Sequence, residues 1–307
     1  MKPIHVPADY DYIGVYLIDK CHLKCPYCIT THHDSLFFKV HMGKLSAREW
    51  IEGLNRLELP EGVPVTLQGG EPLLYRGVWE ILENIRHKVD IMTALPPFLT
   101  ADHFRRLKTL QWNQREAPYP RIRVSYHKGQ NDYKELIPRI AEIQEVVSIG
   151  LYYIEHPSYT EEEIADLKQY AARYGVELRS KEFLGEYNGR FYGTMRWPEA
   201  VRGRRVGRRV LCKNTVAPIA PDGTIYLCHS DLYFARKNLA LGHILDEEFS
   251  FPSIHQPCDN YGLCSECDIK IKTNHLQQYG YTSVDIQFPG GRGWDAPEER
   301  CHEAQTA

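Results

Sequence analysis

Between residues 12 and 184 the chain alternates short apolar runs with amphipathic stretches, and no other feature limits its fold as strongly. The apolar runs predict strands at 12–19, 64–68, 89–94, 121–126, 147–154 and 176–183. Two of the intervening helices have legible starts. Ser46-Ala-Arg-Glu49 and Thr160-Glu-Glu-Glu163 set a hydroxyl three residues ahead of a carboxylate, the spacing at which side chains and backbone cap each other. Behind them Trp50, Ile51, Leu54 and Leu57, and then Ile164, Leu167 and Ala171, form single helical stripes, with Gly175 as a stop. Strand–helix alternation implies a parallel sheet covered by helices, whose ligands bind beyond the carboxyl ends of the strands.

The first strand, Tyr12-Ile-Gly-Val-Tyr-Leu-Ile18, runs directly into DKCHLKCPYCIT, where Cys21, Cys25 and Cys28 follow the spacing C-x3-C-x2-C. Three thiolates from one short loop can hold three irons of a cubane [4Fe–4S] cluster. The fourth iron is then open to a substrate or cofactor, so the spacing points to chemistry rather than electron storage. For the cysteines alone the plainer alternative is a zinc loop or a loose thiol cluster. The second strand ends in Val65-Thr-Leu-Gln-Gly-Gly-Glu-Pro72. Two glycines permit close backbone approach there, and a carboxylate can receive an ammonium.

Together these motifs resemble the radical S-adenosylmethionine (SAM) enzymes, over roughly residues 10 to 275. The resemblance implies an α/β fold: a partial (βα)6 TIM-like barrel of radical SAM type, followed by a small Cys-rich α+β auxiliary-cluster domain. It implies a [4Fe–4S] cluster on Cys21, Cys25 and Cys28, with SAM chelating the open iron. Tyr27 would lie beside the adenine, and Gly69, Gly70 and Glu71 would receive the methionine amino group. On the fourth strand Ser125, or less directly His127, would meet the ribose and carboxylate. Lys181 or Arg179 on the sixth would meet an anionic group. Each polar residue on these two strands reads equally well as a solvent-facing one. Reductive cleavage of SAM would give a 5′-deoxyadenosyl radical that takes a hydrogen atom from the substrate.

The last third carries Cys212, Cys228, Cys258, Cys264, Cys267 and Cys301. Ala220 to Cys228 reads as a hairpin turning at Asp222-Gly223. The order Cys…Gly-x4-Cys…Cys-x2-Cys resembles the twitch and SPASM domains, which hold auxiliary Fe–S clusters. Six cysteines fit one cluster, the twitch arrangement, and the resemblance assigns Cys212, Cys228, Cys264 and Cys267 as ligands of a second auxiliary [4Fe–4S] cluster. Cys258 is left as a spare thiol, an alternate ligand or a buried residue. A structural zinc site is the competing reading of the same four. His229 reads as a residue beside a ligand or on the surface rather than as a ligand, His32 and His33 read as surface residues, and Tyr192, Asp231 and Tyr233 are the candidates for a proton-accepting base.

These readings divide the chain into a barrel (1–184), an arginine-rich connector (185–211), an auxiliary-cluster domain (212–280) and a flexible tail (281–307). The connector carries Arg190, Arg196, Arg202, Arg204, Arg205, Arg208 and Arg209. It reads either as a solvated link or as a clamp for an anionic substrate. A net charge of −3 over 307 residues gives no global pull toward nucleic acid or membrane. The N-terminus lacks a basic segment followed by an apolar one, and clustered thiols suit a reducing compartment, so a cytoplasmic protein is expected. Only 20 residues precede Cys21, which lowers the expectation of a peptide substrate. The partners expected are a small-molecule substrate and a reductant such as flavodoxin or ferredoxin. Twitch and SPASM relatives include dehydrogenases, so oxidation leads the readings, with a redox-neutral reaction such as epimerisation second. A two-cluster electron carrier would explain the cysteines but not the glycine-rich strand end.

Overall fold

The computed structural model describes residues 2–30, 43–109, 117–201, 208–272 and 280–288. The first part comprises β1 (Ile4–His5), β2 (Tyr12–Tyr16), α1 (Ala47–Leu54), β3 (Leu57–Glu58), β4 (Val65–Gln68), α2 (Val78–Asn84) and β5 (Val89–Thr93). It continues through α3 (Ala101–Arg105), β6 (Ile122–Tyr126), α4 (Tyr133–Gln144), β7 (Ile149–Glu155), α5 (Glu161–Arg173) and β8 (Leu178–Glu182). After it come β9 (Gly185–Tyr187), β10 (Arg190–Tyr192), β11 (Arg208–Asn214), β12 (Val216–Ile219), β13 (Thr224–Tyr226) and α6 (His229–Tyr233). The last are β14 (Ala240–His243), β15 (Gln256–Tyr261), α7 (Glu266–Ile269) and β16 (Val284–Gln287).

All six expected barrel strands form, and they pair in parallel in the order β2-β4-β5-β6-β7-β8. Both capping boxes close. Glu49 accepts from the Ser46 amide at 2.7 Å, and Glu163 from the Thr160 amide at 2.9 Å. Gly175 ends α5 with φ +65°, a conformation that costs glycine little.

The sheet does not stop at the barrel. β12 pairs in parallel with the free side of β2, Val216 opposite Tyr12, and β13 and β14 follow antiparallel. The hairpin between β12 and β13 turns at Asp222-Gly223 as expected, with Gly223 at φ +85°. A second sheet, β15-β11-β16, lies beyond. β16 falls inside the segment expected to be a flexible tail. Its residues 284–287 are instead held on β11, whereas 289–307 lie outside the described residues.

Register assigns each strand a face. Val15, Leu67, Ile91, Val124 and Leu151 share one face and are sealed against Trp50, Ile81, Phe104, Ile140 and Leu167 of the helices. Burying one such aliphatic side chain is worth about 1.5–3 kcal/mol, so this layer supplies much of the folding energy. The opposite face carries Gly14, Thr66 and Asp90 across three strands, then Met92 beside Arg123, and Tyr152 beside Arg179. Ser125 and Lys181 lie on the same side. A filled barrel packs branched aliphatics in that position. Here the interior row is polar, and a departure of that kind from core-building rules is expected at a functional site.

Candidate functional site

Cys21, Cys25 and Cys28 occupy the loop that leaves the carboxyl end of β2, where the sheet geometry concentrates ligand sites. Each is partly exposed and outside any disulfide. The loop closes on itself through the Cys28 amide, which donates to the Cys25 carbonyl at 3.1 Å. Cys21 Sγ accepts from the Leu23 amide at 3.4 Å, and Cys28 Sγ lies 3.0 Å from Thr30 Oγ1. Burial, followed by the Cys28 and Cys21 thiols, pushes Cys25 up to about 12. The three thiols therefore sit close enough to feel one another, and bound iron would relieve that mutual cost by binding them as thiolates. As a donor set they suit the three-cysteine cubane.

Gly69, Gly70 and Glu71 lie against this loop. The Gly70 amide donates to the Ile18 carbonyl at 3.0 Å and the Glu71 amide to the Lys20 carbonyl at 2.7 Å. A Cβ on Gly70 would meet the Lys20 carbonyl oxygen at 2.2 Å, and one on Gly69, at φ +132°, the Ile18 oxygen at 2.8 Å. The glycines thus let the strand end dock on the backbone that starts the cysteine loop. The Glu71 carboxylate is occupied by protein donors. It is fully buried and accepts from Leu73 N at 3.0 Å, Thr93 Oγ1 at 2.7 Å and Ala94 N at 2.6 Å. Burial raises its pKa to about 7 despite these donors, led by Thr93. Its role is to tie the ends of β4 and β5 together.

Tyr27 stands in an aromatic wall, its ring 4.8 Å from His156, 5.8 Å from His127 and 6.0 Å from Phe183. Burial, then the Lys181 charge, lowers His127 to about 4, so its imidazole is neutral at physiological pH. Ser125 sits on the interior row at the end of β6, its carbonyl accepting from Asn131 at 3.0 Å. Arg179 is not available for an anion. It pairs with Glu177 at 2.6 Å and donates to the Pro118 carbonyl. Lys181 turns inward: Nζ lies 5.0 Å from the Tyr152 ring centroid and 3.9 Å from Met92 Sδ. Burial, with the Arg123 and Lys270 charges, lowers it to about 7.

Of the connector arginines, Arg190 and Arg196 lie over the rings of Tyr192 and Trp197, and Arg209 pairs with Asp259 at 2.8 Å. Arg202, Arg204, Arg205 and the Arg208 side chain lie outside the described residues, as do His32, His33 and Cys301.

The structure gathers the C-terminal cysteines by strand pairing. Val210 is opposite Cys258 and Cys212 opposite Gln256, so Cys212 and Cys258 are diagonal neighbours on one face of the β11–β15 ladder. Cys258 is the largest influence on Cys212, raising its thiol together with burial, and Cys264 and Cys228 are its next charged neighbours. Cys258 and Cys264 pack on the same apolar cluster as Cys212. Cys258 thus belongs to the constellation from which sequence order had set it aside. The strand alternation of 256–261 was the available signal, but its partner strand could not be read locally. Cys267 feels Lys270, Asp268, Glu266 and Lys181 most strongly. Among the described residues, no three His, Cys, Asp or Glu side chains converge on a point that would hold a single ion.

His229 has a role that sequence reading missed. It is buried, with its amide and Nδ1 on the Asp268 carboxylate at 3.0 and 2.7 Å, so it locks the Cys228 segment to the Cys267 segment. Asp231 is taken by Arg236 at 2.9 Å and Asn260 at 3.2 Å, which leaves it poorly placed as a base. Tyr233 OH meets Tyr16 OH at 2.9 Å, joining α6 to the interior row of β2.

No helix among the described residues is long and apolar enough to cross a membrane. Curated relatives include the GTP 3′,8-cyclase of Clostridium perfringens (strain SM101 / Type A), 25% identical over 192 residues, covering 57% of this chain and 56% of that protein. The GTP 3′,8-cyclase of Aquifex aeolicus (strain VF5) is 30% identical over 191 residues, covering 56% of each. The chain thus spans little more than half the length of these relatives. Among solved structures, Streptococcus suis SuiB bound to precursor peptide SuiA aligns with a TM-score of 0.42 at 15% identity, over 59% of this chain and 40% of that one. Residues 15–171, which include the cysteine loop, the Gly69–Glu71 turn and the end of β2 through most of α5, match the family model of the Radical SAM superfamily. The chain belongs to that superfamily.

Proposed function

We propose that this enzyme cleaves SAM at a cubane held by Cys21, Cys25 and Cys28 and acts on a small molecule bound against the polar interior of the barrel. The observation that carries this reading is the position of the three-thiol loop at the rim of a sheet whose inward row is polar. When bound, the cluster and SAM supply a hydrogen-abstracting radical, and a second cluster on the C-terminal cysteines supplies an electron acceptor. The chain's own residues shape the site. Tyr27, with His127 and His156, offers flat faces for a heteroaromatic ring. The backbone of Gly69 and Gly70 and the Ser125 side chain are the polar groups assigned to an amino acid moiety. Glu71 holds that rim in place from beneath. α6 covers the interior row through Tyr16 and Tyr233, which helps exclude water from a reactive intermediate.

Oxidation of the substrate is the leading reaction, supported by the cysteine constellation around Cys212 and Cys258. Similarity to the GTP 3′,8-cyclases favours a second reading, a redox-neutral cyclisation or rearrangement, and a nucleotide as one substrate class. The deciding experiment is anaerobic turnover with SAM, dithionite and deuterated candidate substrates. Deuterium entering 5′-deoxyadenosine supports the shared radical step. A product with two fewer hydrogens of either isotope than its substrate supports oxidation, and a product with the same total supports rearrangement. Protein that consumes no SAM under these conditions contradicts both.

A further inference from the structure

The interior of the barrel holds cationic groups that the protein itself leaves poorly matched. Lys181 on β8 throws its ammonium across the concave face to Met92, which lies three strands away on β5. Its described contacts there are a thioether and the Tyr152 ring, neither of them an oxygen acceptor. Met92 is opposite Arg123 in the β5–β6 register, so both cations occupy the same part of the interior. Arg123 is only 2% exposed, and its Nε and Nη2 make no hydrogen bond. The nearby carboxylate of Asp90 stands 3.9 Å from Nη2 and takes the Tyr119 hydroxyl at 2.9 Å. The Lys270 charge, brought in by the bridge between Met195 and Lys270, also bears on Lys181. Gln68 Nε2 is a further buried donor without a partner on this row.

Asp90 and the Tyr119 ring balance only part of this buried positive charge, and the donors that remain are all of the kind that bind an oxyanion. A guanidinium fork beside an ammonium suits a carboxylate or a phosphate. Resting on the radical reading given above, we propose that the barrel interior binds an oxyanion group of the substrate between Arg123 and Lys181. This places the anionic recognition inside the barrel rather than on the connector. It also separates the group from the SAM carboxylate. Arg123 lies two residues below Ser125 along β6, about 6–7 Å deeper than the rim at the rise of a strand.

The test uses cluster-reconstituted protein with saturating SAM, titrated calorimetrically with inorganic phosphate. Phosphate should bind one to one, and Lys181→Met should weaken it at least about tenfold, the scale of one lost charge-assisted contact. Lys181→Arg, which keeps the charge, should stay within a few-fold of the native sequence. Equal binding by Lys181→Met and the native sequence, or no saturable binding, overturns the site. Phosphate that is displaced as SAM is added also overturns it, because the cations would then serve the SAM carboxylate. Formation of 5′-deoxyadenosine is followed on the same samples. Intact cleavage without phosphate binding removes the oxyanion site alone, whereas binding without cleavage upholds the site and removes the radical reading.

Discussion

On the outer face of the barrel strands Val15, Leu67, Ile91, Val124 and Leu151 are sealed beneath helices, whereas the inner face of the same strands carries Gln68, Asp90, Arg123 and Lys181. Neighbouring residues on one strand thus serve opposite ends. Leu67 is fully buried among aliphatics, and Gln68, next to it, receives the Tyr12 hydroxyl at 3.0 Å while its own amide nitrogen has no partner. The outer layer stabilises the fold, and the inner layer leaves buried polar groups short of partners.

The largest break in this comparison comes from the outer layer. Leu67→Ala should destabilise the protein by about 2–5 kcal/mol through lost burial and a cavity. Anaerobic urea denaturation measures it, and a cost near zero would mean that the outer face is not the core.

Glu71, at the junction of the two layers, should respond to pH. Its folded pKa of about 7 lies above the ordinary carboxylate value. Between pH 4.5 and 7 the unfolded chain therefore releases this proton while the folded chain keeps it. Stability should fall as pH rises through that window, by at most about 1.4 kcal/mol per pH unit, and level off above it. Glu71→Gln removes that contribution, so the advantage of the native sequence over the variant should shrink from pH 5 to pH 7.5. Urea midpoints for both proteins at the two pH values test this, and an advantage that grows with pH would reverse the assigned sign.

The smallest effect belongs to the inner row. Lys181→Met replaces a poorly matched ammonium with an apolar chain of similar length. It should leave stability unchanged or raise it by on the order of 1 kcal/mol. A loss as large as that from Leu67→Ala, read from the same denaturation curves, would make Lys181 a structural residue.

Much of this was legible locally. The strand runs, the two capping boxes and the Asp222-Gly223 turn depend on near neighbours, and all of them appear in the structure. What required the fold was the sense of the alternation. Arg121-Ile-Arg-Val-Ser reads as a strand but does not say which side of the sheet Arg123 takes, and the register puts it on the interior row, 2% exposed. The pairing of β12 with β2 joins residues some two hundred positions apart in the chain, and no local pattern announces it. Cys258 was undecided for the same reason, because its neighbour Cys212 is reached only through the β11–β15 register. Glu71 was placed correctly at the rim, but three protein donors occupy the carboxylate that had been assigned to a ligand.

The central claim is that the loop of Cys21, Cys25 and Cys28 alone carries the chemistry of SAM cleavage. Its most direct test is 5′-deoxyadenosine production under dithionite by the Cys21→Ser/Cys25→Ser/Cys28→Ser protein, with iron counted on the same sample. The account predicts that production disappears while the iron bound by the C-terminal cysteines remains, about half of the total from two cubanes. Continued production by that triple variant would contradict it.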